Sequence, residues 1–190
     1  MAGSQFLCFG DYMLFKGGNT YTMNSCETIE LFYNIRIDID KLITASNLNK
    51  IILDVTTENQ NSYKILQLYL NTLYVLSEMD FDKNLLTATF KLRLLSLLGF
   101  SPNVKECVLC KNKENIAYFS IKDNGFKCNV CGKTDKSALS ILLETRDSMK
   151  YILMSPPKKI YSFKTNIDAI KELELIAKLY LNEKLEKEYM

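Results

Sequence analysis

The clearest chemistry in the chain lies in CVLCKNKENIAYFSIKDNGFKCNVCG, residues 107–132. Cys107 and Cys110 form one C-x-x-C and Cys128 and Cys131 form another, with 17 residues between the pairs. Cysteines three positions apart can grip one ion in a tight knuckle, and a second knuckle carried in on a hairpin completes a tetrahedron. Four thiolates leave no open coordination position, so the spacing favours a structural zinc ion that folds a segment too small for a core of its own. A rubredoxin-like iron site would use the same ligands and stays open. A redox dithiol is disfavoured, because neither pair stands at a strand-to-helix junction.

Other chemistries are excluded by composition. The chain has no histidine, which removes Ser-His-Asp and Cys-His catalysis, imidazole ligands and the usual general base. Its seven glycines are scattered and build no phosphate loop. The 190 residues are 47% hydrophobic and 24% charged, ordinary for a globular protein, and no apolar run reaches the roughly 18 residues that span a bilayer. No signal peptide is legible at the start, so a cytoplasmic location is expected. In a reducing cytoplasm the six cysteines are not a disulfide framework, and Cys8 and Cys26 read as small buried residues of strands. The formal charge of +2 falls to about zero once four thiolates and one zinc are counted. Basic residues lean modestly to the C-terminal half: residues 101–190 hold 16 Lys and Arg against 12 acids. A solvated surface explains that excess without a partner.

The elements that must position the cysteines are mostly helical. Residues 6–27 read as a β-hairpin turning through Gly17-Gly18-Asn19, and an isolated hairpin is marginal without further strands or a helical surface. From Glu27 to Leu98 the pattern predicts three helices, over residues 35–55, 62–79 and 83–99. The last two are apolar on most faces, as in a bundle, and the third stops at Gly99 before Pro102. Within the metal segment, residues 101–136, a tight turn is expected at Asp123-Asn124-Gly125. Gly132 suits a knuckle whose amides turn toward sulfur, while Lys111 makes the first knuckle less regular. A helix over 137–154 runs until Pro156-Pro157. A final helix begins near Thr165, which has capping-box spacing to Asp168, with Ile167, Ile170, Leu173, Ile176 and Tyr180 as its stripe. Glu174–Lys178 and Glu183–Lys187 are candidate i,i+4 pairs. The expected fold is therefore mostly α: a helical bundle with an inserted four-cysteine zinc ribbon, preceded by a β-hairpin.

The order and wording of these segments carry a resemblance. GSQFLCFGDYMLF and YTMNSCE precede the helices; K-x-R-L-L-x-x-x-G-x-x-P, Lys91 to Pro102, runs into the first C-x-x-C; S-x-x-x-N-G-x-x-C precedes the second; KELELIAKLYLNEKLEKEY ends the chain. This pattern resembles the RecO family of bacterial DNA repair and recombination proteins, its clostridial type in particular, over essentially the whole chain. The resemblance implies an N-terminal OB-fold, a helical domain and one zinc ion held by Cys107, Cys110, Cys128 and Cys131. It also implies single- and double-stranded DNA as ligands and annealing of complementary strands. Partners so implied are RecR, in some members RecF, RecA, and the C-terminal tail of single-strand-binding protein. No catalytic residue is implied, and a cytoplasmic, nucleoid-associated, non-membrane location is. On this pattern the hairpin is the remnant of an incomplete OB-fold, 1–27, followed by a helical domain, 28–190, with its zinc-binding insertion at 101–136.

Candidate DNA contacts follow from residue type. Lys91 and Arg93 are charges in a Leu-rich helix and must reach a surface, a carboxylate or a phosphate; a salt bridge to a neighbouring helix is the plain alternative. Lys16, Lys158 and Lys159 are exposed basic candidates that could equally be ordinary solvated lysines. Tyr21, with Tyr12 and Phe15, lies where an OB surface stacks bases, although half of a strand's aromatics face the core. Two functions fit: a DNA-annealing mediator of recombinational repair, or a zinc-braced scaffold that docks RecR or an acidic protein tail without DNA affinity.

Overall fold

The computed structural model describes residues 5–58 and 60–189, so the first four residues of the proposed 1–27 unit lie outside it. Strand β1, Phe9–Gly17, pairs antiparallel with β2, Thr20–Glu30, through a two-residue turn at Gly18 and Asn19. Gly18 has φ +62°, which a side-chain-bearing residue rarely adopts. β2 extends three residues beyond the predicted end at Glu27. Asn24 is the extra residue at a register shift between Met13 and Leu14, a bulge that bends the ribbon. The hairpin keeps Met13, Leu14, Phe15 and Tyr21 exposed. Cys8 and Cys26 are half-buried, Cys8 lying just before β1, which corrects their reading as buried residues.

Four helices follow: α1, Tyr33–Arg36; α2, Ile39–Val55; α3, Tyr63–Glu78; α4, Lys83–Leu97. Asp38 starts α2 by accepting from the amides of Asp40 and Lys41 at 2.9 and 3.1 Å. Asp82 does the same for α4 through Asn84 and Leu85, both at 2.9 Å. α4 is the axis of the bundle, buried on most faces through Leu85, Leu86, Phe90, Leu92, Leu94 and Leu95. It ends as predicted at Gly99, φ +93°: the Gly99 amide bonds Ser96 O at 3.3 Å and the Phe100 amide reaches back to Leu95 O at 2.8 Å.

A three-stranded antiparallel sheet, order β4-β3-β5, carries the metal segment: β3 is Ile116–Ser120, β4 Gly125–Cys128 and β5 Leu139–Ser140. The turn before β4 lies one or two residues earlier than expected, with Asn124 in the left-handed conformation and Gly125 already in the strand. A Cβ on Gly125 would come within 2.5 Å of Asn103 O, so the chain crosses there only because the residue is glycine. Helix α5, Asn129–Lys133, completes the second knuckle. The predicted helix over 137–154 is shorter: α6 runs Leu143–Met154, because residues 139–140 are drawn into the sheet as β5 beside β3. A single 3₁₀ turn, Pro157–Lys159, leads to α7, Ile167–Leu185.

The cap of α7 is Asn166, whose side chain accepts from Ala169 N at 2.8 Å, rather than Thr165. Its stripe is buried at Ile170, Leu173, Ile176 and Tyr180, while Ile167 is exposed at the first turn. Lys187 pairs across the fold with Asp54 at 2.7 Å instead of with Glu183. The ribbon docks on α7 through Phe119, whose ring meets Phe126 at 6.2 Å and Tyr180 at 5.6 Å, edge to face. The Tyr180 hydroxyl donates to Phe100 O at 3.0 Å, fixing the exit from α4 to the same helix. Metal segment and bundle thus share one core.

Candidate metal centre

The sheet and α5 bring Cys107, Cys110, Cys128 and Cys131 together, with all four Sγ atoms within 4.8 Å of one another. Zn–S bonds of about 2.3 Å at tetrahedral angles require S···S edges of about 3.8 Å; Cys110 and Cys128 are 3.6 Å apart. Both knuckles turn their amides toward sulfur. The N–H groups of Cys110, Cys128 and Leu109 face the Cys107 thiol: burial pushes its pKa up, but these donors outweigh it and bring it down to about 6. The N–H of Cys131, with that of Val130, lowers the Cys128 thiol in the same way. Cys131 is pushed up to about 12 by hydrogen bonding to the neighbouring sulfurs of Cys110 and Cys128. Four sulfurs this close do not all ionise without a cation among them, and a divalent ion supplies the charge that the cluster lacks. The cluster can therefore hold one metal ion through four thiolates.

Local reasons for each knuckle differ from the sequence reading. Lys111 occupies the left-handed position, φ +62°, and its amide closes the first knuckle on Cys107 O at 3.0 Å. Gly132 has no positive φ; it lies against the Tyr118 ring, which a Cβ would strike. Its requirement is space, and the amide geometry does not depend on it.

Sequence reasoning missed the ionic cluster under the second knuckle. Lys127 is 2% exposed, and its Nζ lies 2.5 Å from both Asp123 Oδ2 and Asp135 Oδ2. Lys127 holds both carboxyls below the ordinary range, while the carboxylates outweigh burial to raise Lys127. The only available signal was a lysine inside the F-K-C strand, where a charge has to find a partner.

The candidate DNA residues do not converge on one place. Lys91, expected to reach a surface, is instead 4% exposed in the α4–α7 core; burial lowers its pKa, Lys178 adding to that effect and Glu174 opposing it. Arg93 is partly buried and donates from Nη1 to Ile152 O at 3.2 Å and Leu153 O at 2.8 Å, capping the C-terminus of α6. Its Nη1 therefore reaches a helix end and no carboxylate, while the side chain still lines a shallow groove. Lys16 sits over the ring of its cross-strand neighbour Tyr21 at 5.5 Å, both exposed near the hairpin turn. Lys158 and Lys159 are exposed on the 3₁₀ turn, and Lys158 borders a groove that also holds Phe9 and Ile29 at the hairpin base. Base and tip are separated by about seven residues of strand, roughly 23 Å, so the two basic spots are distinct.

These features define a class: a helical bundle joined to a small sheet that carries a four-cysteine cluster able to hold a metal ion. Residues 36–190 match the family described as recombination protein O, C terminal. The chain is 39% identical to the DNA repair protein RecO of Acetivibrio thermocellus over all of this chain and 76% of that relative. It is 30% identical to the RecO of Alkaliphilus metalliredigens over 95% of this chain and 74% of that protein. It is also 30% identical to that of a Thermoanaerobacter species over 94% and 72%. The chain belongs to the RecO family of DNA repair proteins. Among the described residues no helix is long and apolar enough to cross a membrane.

Proposed function

We propose that the protein is a non-enzymatic mediator of recombinational repair that binds single- and double-stranded DNA and anneals complementary strands. In this role it works with RecR, and with RecF, to help RecA replace single-strand-binding protein, in the cytoplasm at the nucleoid. Family membership over residues 36–190 is the observation that carries the reading. One zinc ion, held by the four cysteines, braces the ribbon and takes no part in chemistry; the closed donor set supports that role. Lys16 with Tyr21, and Lys158 with Lys159, are the most accessible candidates for phosphate and base contact, since Lys91 is buried and Arg93 is engaged at the end of α6. The test is the annealing rate of two complementary labelled oligonucleotides followed by energy transfer. The expected result is acceleration by the metal-loaded chain; a rate equal to the spontaneous one contradicts it.

One observation favours a second role, docking of the acidic tail of single-strand-binding protein. A groove of about 520 Å³ between the hairpin base and α3 is walled by Ile29, Tyr63, Leu66, Leu70 and Tyr74, with Lys158 on its rim and Glu30, whose carboxylate is taken up by the Leu31 and Phe32 amides, at its base end. An apolar slot with a cationic edge suits a short acidic, apolar peptide. A peptide ending in that chemistry should bind, and Lys158→Glu should weaken it whether or not DNA binds. Binding left unchanged by Lys158→Glu contradicts the docking role.

A further inference from the structure

The second knuckle is closed at both ends by one ion cluster. Lys127 directly precedes the ligand Cys128, and Asp135 stands four residues beyond the ligand Cys131. Their side chains meet at 2.5 Å, so residues 127–135, carrying both sulfurs and all of α5, form a loop clasped at its base. Asp123, from the turn before β4, joins at 2.5 Å, and the Ser120 hydroxyl lies 3.1 and 3.3 Å from the two carboxylates. Asp135 is itself held by the amide and hydroxyl of Ser137 at 2.9 and 2.7 Å. The first knuckle is held by main-chain bonds: Cys107 N to Asn112 O at 2.7 Å, Val108 N to Phe126 O at 2.8 Å and Lys111 N to Cys107 O.

We propose that the Lys127–Asp123–Asp135 cluster is a positioning clamp that presets the spacing of Cys128 and Cys131 for the metal. The inference rests on the metal reading of the four cysteines. A buried ion cluster adds little net stability over apolar residues of similar size, because desolvation offsets attraction, but it admits few geometries. Here the geometry it fixes is the distance between the two ends of a ligand-bearing loop. Without the clamp, closing that loop on the ion carries the entropy that the clamp has already removed. Outer residues that orient metal ligands behave in this way, their loss lowering metal affinity by about 10- to 100-fold.

The test uses the full chain, stripped of metal under reducing conditions and titrated with Co²⁺ alone. The sulfur-to-cobalt charge-transfer band reports thiolate ligation, and zinc competition then gives relative affinity. Lys127→Met combined with Asp135→Asn leaves Asp123, which is partly exposed, free to hydrate. The expected result is a cobalt affinity lower by about 10- to 100-fold, with helical circular dichroism unchanged. Asp40→Asn, which breaks the distant Lys83–Asp40 bridge at 2.8 Å, should leave affinity as in the parent. If the double variant misfolds, Asp135→Asn alone, which keeps the shape and the Ser137 bonds, is read the same way. Unchanged affinity in a folded clamp variant overturns the proposal. A parent chain that develops no charge-transfer band overturns the metal reading itself.

Discussion

Arg93 separates two accounts of a charged residue in a leucine-rich helix. As a DNA contact it would carry phosphate affinity; as placed, it caps α6 with two bonds to Ile152 O and Leu153 O. Replacing it with methionine keeps the apolar stem and removes both donors. A hydrogen bond from a charged group contributes about 1.5–3 kcal/mol. The bond at 2.8 Å counts in full and the one at 3.2 Å in part. Leu153 is half-buried, so water recovers some of the loss. A net destabilisation of about 2 kcal/mol follows. For a chain of this length that lowers Tm by about 4–8 °C, measurable by thermal unfolding of the metal-loaded protein. In parallel, the dependence of DNA affinity on salt should keep its slope, since no phosphate contact is lost. The reasoning is refuted if Arg93→Met leaves Tm unchanged while the salt slope falls by about one.

Three further outcomes follow from the same structure. Gly132→Ala gains helix propensity, about 1 kcal/mol, but drives a methyl into the Tyr118 ring; overpacking of about 1–3 kcal/mol should win and lower the urea midpoint, and a raised midpoint would contradict the packing. Chelation of the metal should open the ribbon to protease between residues 101 and 136 while helical ellipticity largely persists, because most of the shared core is contributed by α2–α4 and α7; an unchanged digestion pattern would count against the brace. At alkaline pH, burial holds Tyr69 and Tyr180 up to about 12 and Tyr161 higher still. Raised native pKa values mean that this stability is complete below about pH 10, the unfolded tyrosine value, and is lost as pH rises through about 12. Tyrosinate absorbance should therefore show a late phase that coincides with unfolding, and a single early phase with the fold intact would contradict it.

The helices were legible because their signals are local. Gly99 as a stop and the leucine-rich run of α4 depend on residues within a turn of each other, whereas the helix expected over 35–55 is split, because Asp38 caps a new start at Ile39. That the four cysteines come together was legible for a similar reason, since type and spacing suffice to state a cluster. What escaped depends on contacts distant in sequence. Leu139 and Ser140 look helical until β3 is beside them, and Asn166 displaces Thr165 as cap because the chain enters α7 one residue later. Arg93 looks like a surface charge until the end of α6, about 60 residues on, arrives beside it. Lys127 shows why a basic residue is poor evidence for DNA on its own: burial and two carboxylates give it a complete role inside the fold.

The most direct test of DNA mediation is fluorescence anisotropy of a labelled single-stranded oligonucleotide, titrated with the metal-loaded chain at two salt concentrations. The account predicts binding that weakens as salt rises, because lysines such as Lys158 and Lys159 release counterions from phosphate. It also predicts a smaller salt slope when both are changed to glutamate. No binding at low salt, with the acidic peptide still bound in the α3 groove, would contradict DNA mediation by this chain and leave it a docking module.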